Sequence, residues 1–138
     1  HYYFSIFLKE RKTLVEHYTQ IYKNGGEDWG NAKMALEELK TICKNKQIPL
    51  IALLVPDLHY LSSDNPLIPI YKIIKRMFDE IQIPIIDTFP AMHAEFSANP
   101  RKAWVSHDDP HPNEKVHQII SDLLFNFIDQ RKLYQLKN

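Results

Sequence analysis

The chain has 138 residues, 44% of them hydrophobic and 25% charged, with Lys+Arg and Asp+Glu balanced at 17 each. That is the length of one domain and the composition of a globular protein able to bury a core. No basic excess supports nucleic-acid binding, no apolar run approaches the roughly 18 residues of a membrane span, and the lone Cys43 has no internal disulfide partner.

The opening His1-Tyr2-Tyr3-Phe4 has neither an initiator Met nor the charged-then-apolar order of a signal peptide. The chain is therefore expected to begin partway into a longer protein, and it carries no targeting signal that would assign a compartment. A first helix is expected from Phe4, Phe7, Leu8, Leu14, Tyr18, Ile21 and Tyr22 on one face, ending at Gly25 and Gly26. A second begins near Asp28 as N-cap, with Trp29, Ala32, Leu36, Leu39 and Cys43 as its apolar stripe.

The period then changes. The unbroken apolar run "IPLIALLV" (48–55) predicts a strand buried on both faces, as in a parallel sheet. "LHYLSSDNP" leads into a third helix, with Asp64 or Asn65 as cap and Pro66 near its first turn. Ile70, Ile73, Ile74, Met77, Phe78 and Ile81 form that helix's stripe, and "IPIIDTF" (83–89) is the second buried strand. Residues 90–112 read as irregular. The last helix has Val116, Ile119, Ile120, Leu123, Leu124, Phe127 and Ile128 on one face. Strand, helix, strand implies a right-handed parallel unit. Two strands are too few for a sheet covered on both sides, so the expected fold is an incomplete flavodoxin-like three-layer α/β/α domain with about two parallel strands and four helices.

The chemistry is concentrated in "WVSHDDPHPNEKVHQII" (104–120). His111 precedes Pro112, which suits the first turn of the last helix. Asp108 and Asp109 lie three and two residues upstream, and either carboxylate can reach back to the imidazole. A carboxylate on one ring nitrogen sets the tautomer and leaves the other nitrogen free as a base. A metal site from His107, Asp108, Asp109 and His111 suits zinc by residue type, but the spacing is too tight for all four to face one ion. His117 is expected on an outer side of the last helix and His107 as a loop residue. Asp57 is read as a solvated loop acid, Asp87 as structural, and Trp29 and Trp104 as packed on the core.

This block resembles the last conserved block of the SGNH (GDSL-like) hydrolase superfamily, in which an Asp just before "HPN" and the His of "HPN" complete a serine triad. Tyr18 to Tyr22, the Trp29 helix, "IPLIALLVP", "IPIIDTFP" and Trp104 also resemble the second half of one bacterial branch of that superfamily, in order and spacing, over nearly the whole chain. The resemblance implies a serine esterase or acyl-ester hydrolase, or an O-acetyl-transferring enzyme. His111 would be the general base and Asp109 or Asp108 the orienting acid. The widespread Asp-x-x-His spacing selects Asp108, whereas the Ser-x-x-Asp-x-His pattern of the similar branch selects Asp109.

The chain departs from the family in having no GDS block and no Gly-x-Asn-Asp. Ser5, Ser62, Ser63, Ser97, Ser106 and Ser121 all lie outside such contexts. The expectation is a single C-terminal portion of such a domain, 1–138, whose nucleophile and oxyanion hole are supplied elsewhere. The expected substrate is a small-molecule, carbohydrate or lipid ester, with no cofactor, no metal and no nucleic acid. Self-association through the exposed sheet edge is also expected. The rival expectation is a non-catalytic α/β binding or interaction module.

Overall fold

The computed structural model describes residues 15–22 and 26–133. Phe4, Phe7, Leu8, Leu14 and Gly25, assigned above to the first helix and its end, lie outside the described residues. The chain divides into two compact units, His1–Ile48 with Pro66–Ile83, and Pro49–Asn65 with Pro84–Asn138.

In the first unit, residues 15–21 are helical (α1), with Val15, Tyr18 and Ile21 partly covered. Helix α2 spans Glu27–Asn45, with Gly26 rather than Asp28 at the N-cap. Glu27 and Asp28 instead occupy the first turn, where carboxylates favour the partial positive charge of the helix end. Trp29 is buried and meets Tyr22 edge-on at 5.5 Å. The expected stripe needs correction: Ala32 and Leu39 face solvent, and Lys33 and Lys40 take inward positions. Lys33 reaches Glu80 at 2.9 Å and Lys40 reaches the Ile81 carbonyl at 2.8 Å, so each lies along the surface by its stem while its ammonium finds an oxygen. Helix α3 spans Ile68–Glu80 and begins after Leu67, with Pro69 in its first turn. The expected cap at Asp64 or Asn65 is not used. Asn65 is buried and donates to the Tyr60 carbonyl, while Asp64 accepts from Ser62. Both side chains stabilise the preceding turn.

The second unit contains both sheets. Strand β1 (Ala52–Leu54) pairs in parallel with β2 (Ile85–Asp87), in the register Ala52↔Ile85 and Leu54↔Asp87. The parallel unit of the sequence reading is present, and the chain is mixed α/β. The strands are three residues each, far shorter than the apolar runs that encode them. The run is not buried on both faces either: Leu54 is buried, but Leu53 in β1 and Val55 just after it are 38% and 39% exposed. A strand extends only as far as a neighbour pairs with it, and among the described residues β1 has β2 alone. Thr88 closes the pair, its hydroxyl donating to the Leu54 carbonyl at 2.9 Å.

Residues 90–112 are not irregular. Helix α4 (Phe89–Phe96) starts with Pro90 in its first turn and buries Met92 and Phe96. A 3₁₀ turn follows at Pro100–Ala103, then an antiparallel hairpin of β3 (Trp104–Ser106) and β4 (Asp109–Pro112). Eight residues with a Pro and no repeated stripe give too little periodicity to announce a helix. Helix α5 (Glu114–Gln130) covers this region with the predicted stripe, Val116 fully buried and Ile119 and Ile120 packed on the same cluster. Leu58, Leu61, Met92, Phe96, Ala103 and Val116 form that core, with Trp104 at its margin. Among the described residues, no helix is long and apolar enough to cross a membrane.

Candidate functional site

The hairpin β3–β4 carries the residues singled out in the sequence. Ser106 lies opposite Asp109, so His107 and Asp108 form a two-residue turn. The register with β3 shifts over this stretch of β4, and Asp109 and His111 lie side by side there. His111 is thus on a hairpin strand and not at the helix entrance. Pro112 ends β4, and the first residue of α5 is Glu114.

Asp109 and His111 form a closed turn. Asp109 Oδ1 accepts the His111 backbone N–H at 3.0 Å and also pairs with His111 Nδ1. The backbone N–H, then the ring N–H, hold the Asp109 carboxyl below its ordinary range. The His111 side chain is 81% exposed. With Nδ1 turned to the carboxylate, Nε2 is the nitrogen open to a reactant. Asp108 does not share in this. It pairs with His107 Nδ1 at 2.7 Å in the turn, and His107 Nε2 lies 3.0 Å from Arg101. The two aspartates left as alternatives by the sequence therefore face different imidazoles. Among the described residues, no hydroxyl hydrogen-bonds His111, and no three His, Cys, Asp or Glu side chains gather as a metal site. His117 lies on the exposed side of α5.

Asn113 holds the hairpin in place. Its Oδ1 accepts the Val116 N–H at 3.1 Å as the N-cap of α5, while its Nδ2 donates to the carbonyls of Lys102 at 2.7 Å and Trp104 at 3.3 Å. One side chain ties the helix start to the base of β3. Asn113→Ala should lower stability by about 1–2 kcal/mol, from the lost cap and the lost carbonyl partner together. Asn113→Ser should recover only the cap's share. Equal unfolding midpoints in urea for all three chains would contradict this role.

The depressed Asp109 value gives the acid behaviour a sign. A carboxyl whose folded value is lowered stabilises above its unfolded value and loses that contribution as pH falls through the folded one. The Asp109–His111 turn should be intact at 3.8, the ordinary Asp value, and should open only as pH falls further, through the lowered folded value. The His111 amide resonance, followed down through the acid range, should move with a midpoint lower than that value; a midpoint at or above it would contradict the turn. The group is exposed, so added salt should weaken the effect.

One residue reads differently from the sequence. Asp57 is not a solvated loop acid: it is half-buried and bonded to His59, with His59 Nδ1 at 2.8 Å from Oδ1. Asp87 has a structural contact, as read: it accepts the Phe89 N–H at 3.0 Å, where α4 begins. The signal for the first pair was present in the sequence, since Asp57-x-His59 repeats the spacing of Asp109-x-His111. No family profile matches the chain, and no curated protein or solved structure matches it either.

Proposed function

We propose that this chain supplies the base and the orienting acid of a serine ester hydrolase of the SGNH type, within a flavodoxin-like three-layer α/β/α domain. The observation that carries the reading is the Asp109–His111 turn, in which one carboxylate oxygen takes both the backbone and the ring nitrogen of His111. Such a pairing sets the tautomer and leaves Nε2 to work. In the proposed reaction Nε2 takes the proton of a serine hydroxyl as its oxygen attacks the ester carbonyl. The imidazolium, stabilised by Asp109, then returns the proton to the departing alkoxide. Water, or a second alcohol in an acetyl transfer, resolves the acyl-enzyme by the same route. The serine and the oxyanion-hole donors belong to residues outside the 138, because the chain's own serines have neither the sequence context nor, among the described residues, a hydrogen bond to His111. The substrate is a small-molecule, carbohydrate or lipid ester.

The decisive test is the reading frame upstream of His1, followed by fluorophosphonate labelling of the protein that the frame encodes. A GDS block whose serine is labelled, with labelling lost in His111→Ala, is the expected result. Absence of such a block would leave the hairpin as a surface feature of a non-catalytic α/β module.

The same reading makes a claim about association. Leu53 on β1, Val55 just after it and Phe125 on α5, the last 67% exposed, are apolar surface in the second unit. A strand edge without a partner templates pairing. The isolated chain is expected to self-associate at tens of micromolar by light scattering, and Leu53→Lys should reduce the effect. A cooperative monomer would argue that these residues need no cover.

A further inference from the structure

The Asp57–His59 pair does not take part in the reaction proposed above, yet it has the same construction as the Asp109–His111 turn. Asp57 Oδ1 accepts the His59 backbone N–H and pairs with its Nδ1, both at 2.8 Å. Here the side chains are only 24% and 26% exposed, against 44% and 81% for Asp109 and His111. The more covered imidazole has a fixed neighbour. The His59 ring meets the Trp104 indole edge-on at 4.8 Å, and the indole N–H donates to the carbonyl of Leu58 at 3.1 Å. Leu58 itself is buried in the core cluster. Trp104 begins β3 and pairs with Pro112 across the hairpin, the residue next to His111. The segment 57–59 thus holds the Trp104 side chain by its ring and by its N–H, while Asn113 holds the Trp104 carbonyl.

We infer that Asp57–His59 is a positioning pair for the hairpin that presents His111. Asp57 fixes the orientation of the His59 ring. The ring edge and the Leu58 carbonyl fix the Trp104 indole, and the indole sets the base of β3 against which β4 is registered. The Asp109–His111 turn is short and exposed, so the placing of β4 depends on what holds β3 and the start of α5, namely the Trp104 side chain and Asn113. The inference rests on the reading of His111 as the base, and the two are separable by experiment.

The test is the long-range proton–nitrogen correlation of the imidazoles in the ¹⁵N-labelled 138-residue chain, above the range where imidazoles protonate. In the unaltered chain His111 should show one tautomer, protonated on Nδ1. A mixed tautomer there would overturn the base geometry itself. In His59→Ala the single-tautomer pattern of His111 should be lost. The Trp104 indole N–H should exchange about tenfold faster, since losing the ring edge loosens the indole's hydrogen bond to the Leu58 carbonyl. His93, whose Nδ1 pairs with the Leu61 carbonyl at 2.6 Å, should keep its pattern and so report that the core is intact. His59→Phe keeps a ring edge for Trp104 and should restore much of the His111 pattern, which a general loss of stability would not. If His59→Ala fails to fold, Asp57→Asn gives the same readout with the ring retained. An unchanged His111 tautomer and an unchanged Trp104 exchange rate in a folded variant would overturn the inference and leave the His111–Asp109 reading standing.

Discussion

Given short-chain nitrophenyl esters, the 138-residue chain alone is expected to show no serine-dependent turnover, and none of its serines should be labelled by a fluorophosphonate probe. A base without its nucleophile does little: loss of the serine from a triad typically lowers turnover by about 10⁶-fold. The described serines are placed for other work. Ser62 donates to Asp64, and Ser106 lies opposite Asp109 in the hairpin register. Ser97 ends α4, and Ser121 is on the exposed side of α5. None of them bonds His111 among the described residues, so none has a base to activate it. Robust labelling of any of these serines, or burst kinetics on the ester, would show that the chain carries its own nucleophile and that the proposal assigns the wrong half of the chemistry to it.

In the protein that supplies the serine, His111→Ala should abolish turnover, and the two neighbouring aspartates should separate sharply. Asp109→Asn should cost about 10⁴-fold, the scale seen when a triad imidazole is left in the wrong tautomer. An amide in that place can donate to Nδ1, which moves the ring proton to the nitrogen that must accept one. Asp108→Asn should leave turnover close to that of the parent, since Asp108 is paired with His107 in the turn and is 92% exposed. The comparison is made on kcat, with the folded state of each variant checked by circular dichroism. Comparable losses for both aspartates, or a larger loss for Asp108, would sink the assignment of Asp109.

The extent to which this site was readable from sequence follows from the range of the forces involved. The stripe of α5 needs only side chains at three- and four-residue spacing, and Val116, Ile119 and Ile120 pack inward as that spacing requires. Ile70 and Met77 of α3 are buried for the same reason. The pairing of the two apolar runs as parallel β1 and β2 followed from a helix lying between them. The crowding of His107, Asp108, Asp109 and His111 was visible at once, because these residues are adjacent in the chain.

Other features depended on partners that periodicity does not name. The apolar runs at 48–55 and 83–89 shrank to three-residue strands because ladder length is set by the neighbouring strand and not by the run itself. Lys33 and Lys40 entered the inward face of α2 because Glu80 and the Ile81 carbonyl were there to receive them. The choice between Asp108 and Asp109 was open along the sequence, since both lie within reach of His111. The two-residue turn decided it in the fold: Asp108, within the turn, pairs with His107, and Asp109, just after it, pairs with His111. The Asp57–His59 pair was least visible of all in its role, because its partner Trp104 is bonded to Leu58 across 46 residues of sequence. Local spacing, acting through backbone geometry, determined the helices and the position of the acid–imidazole cluster, and the hairpin turn decided which acid meets which imidazole; only tertiary packing, which brings distant residues into hydrogen-bond range, set Trp104 against Leu58 and His59.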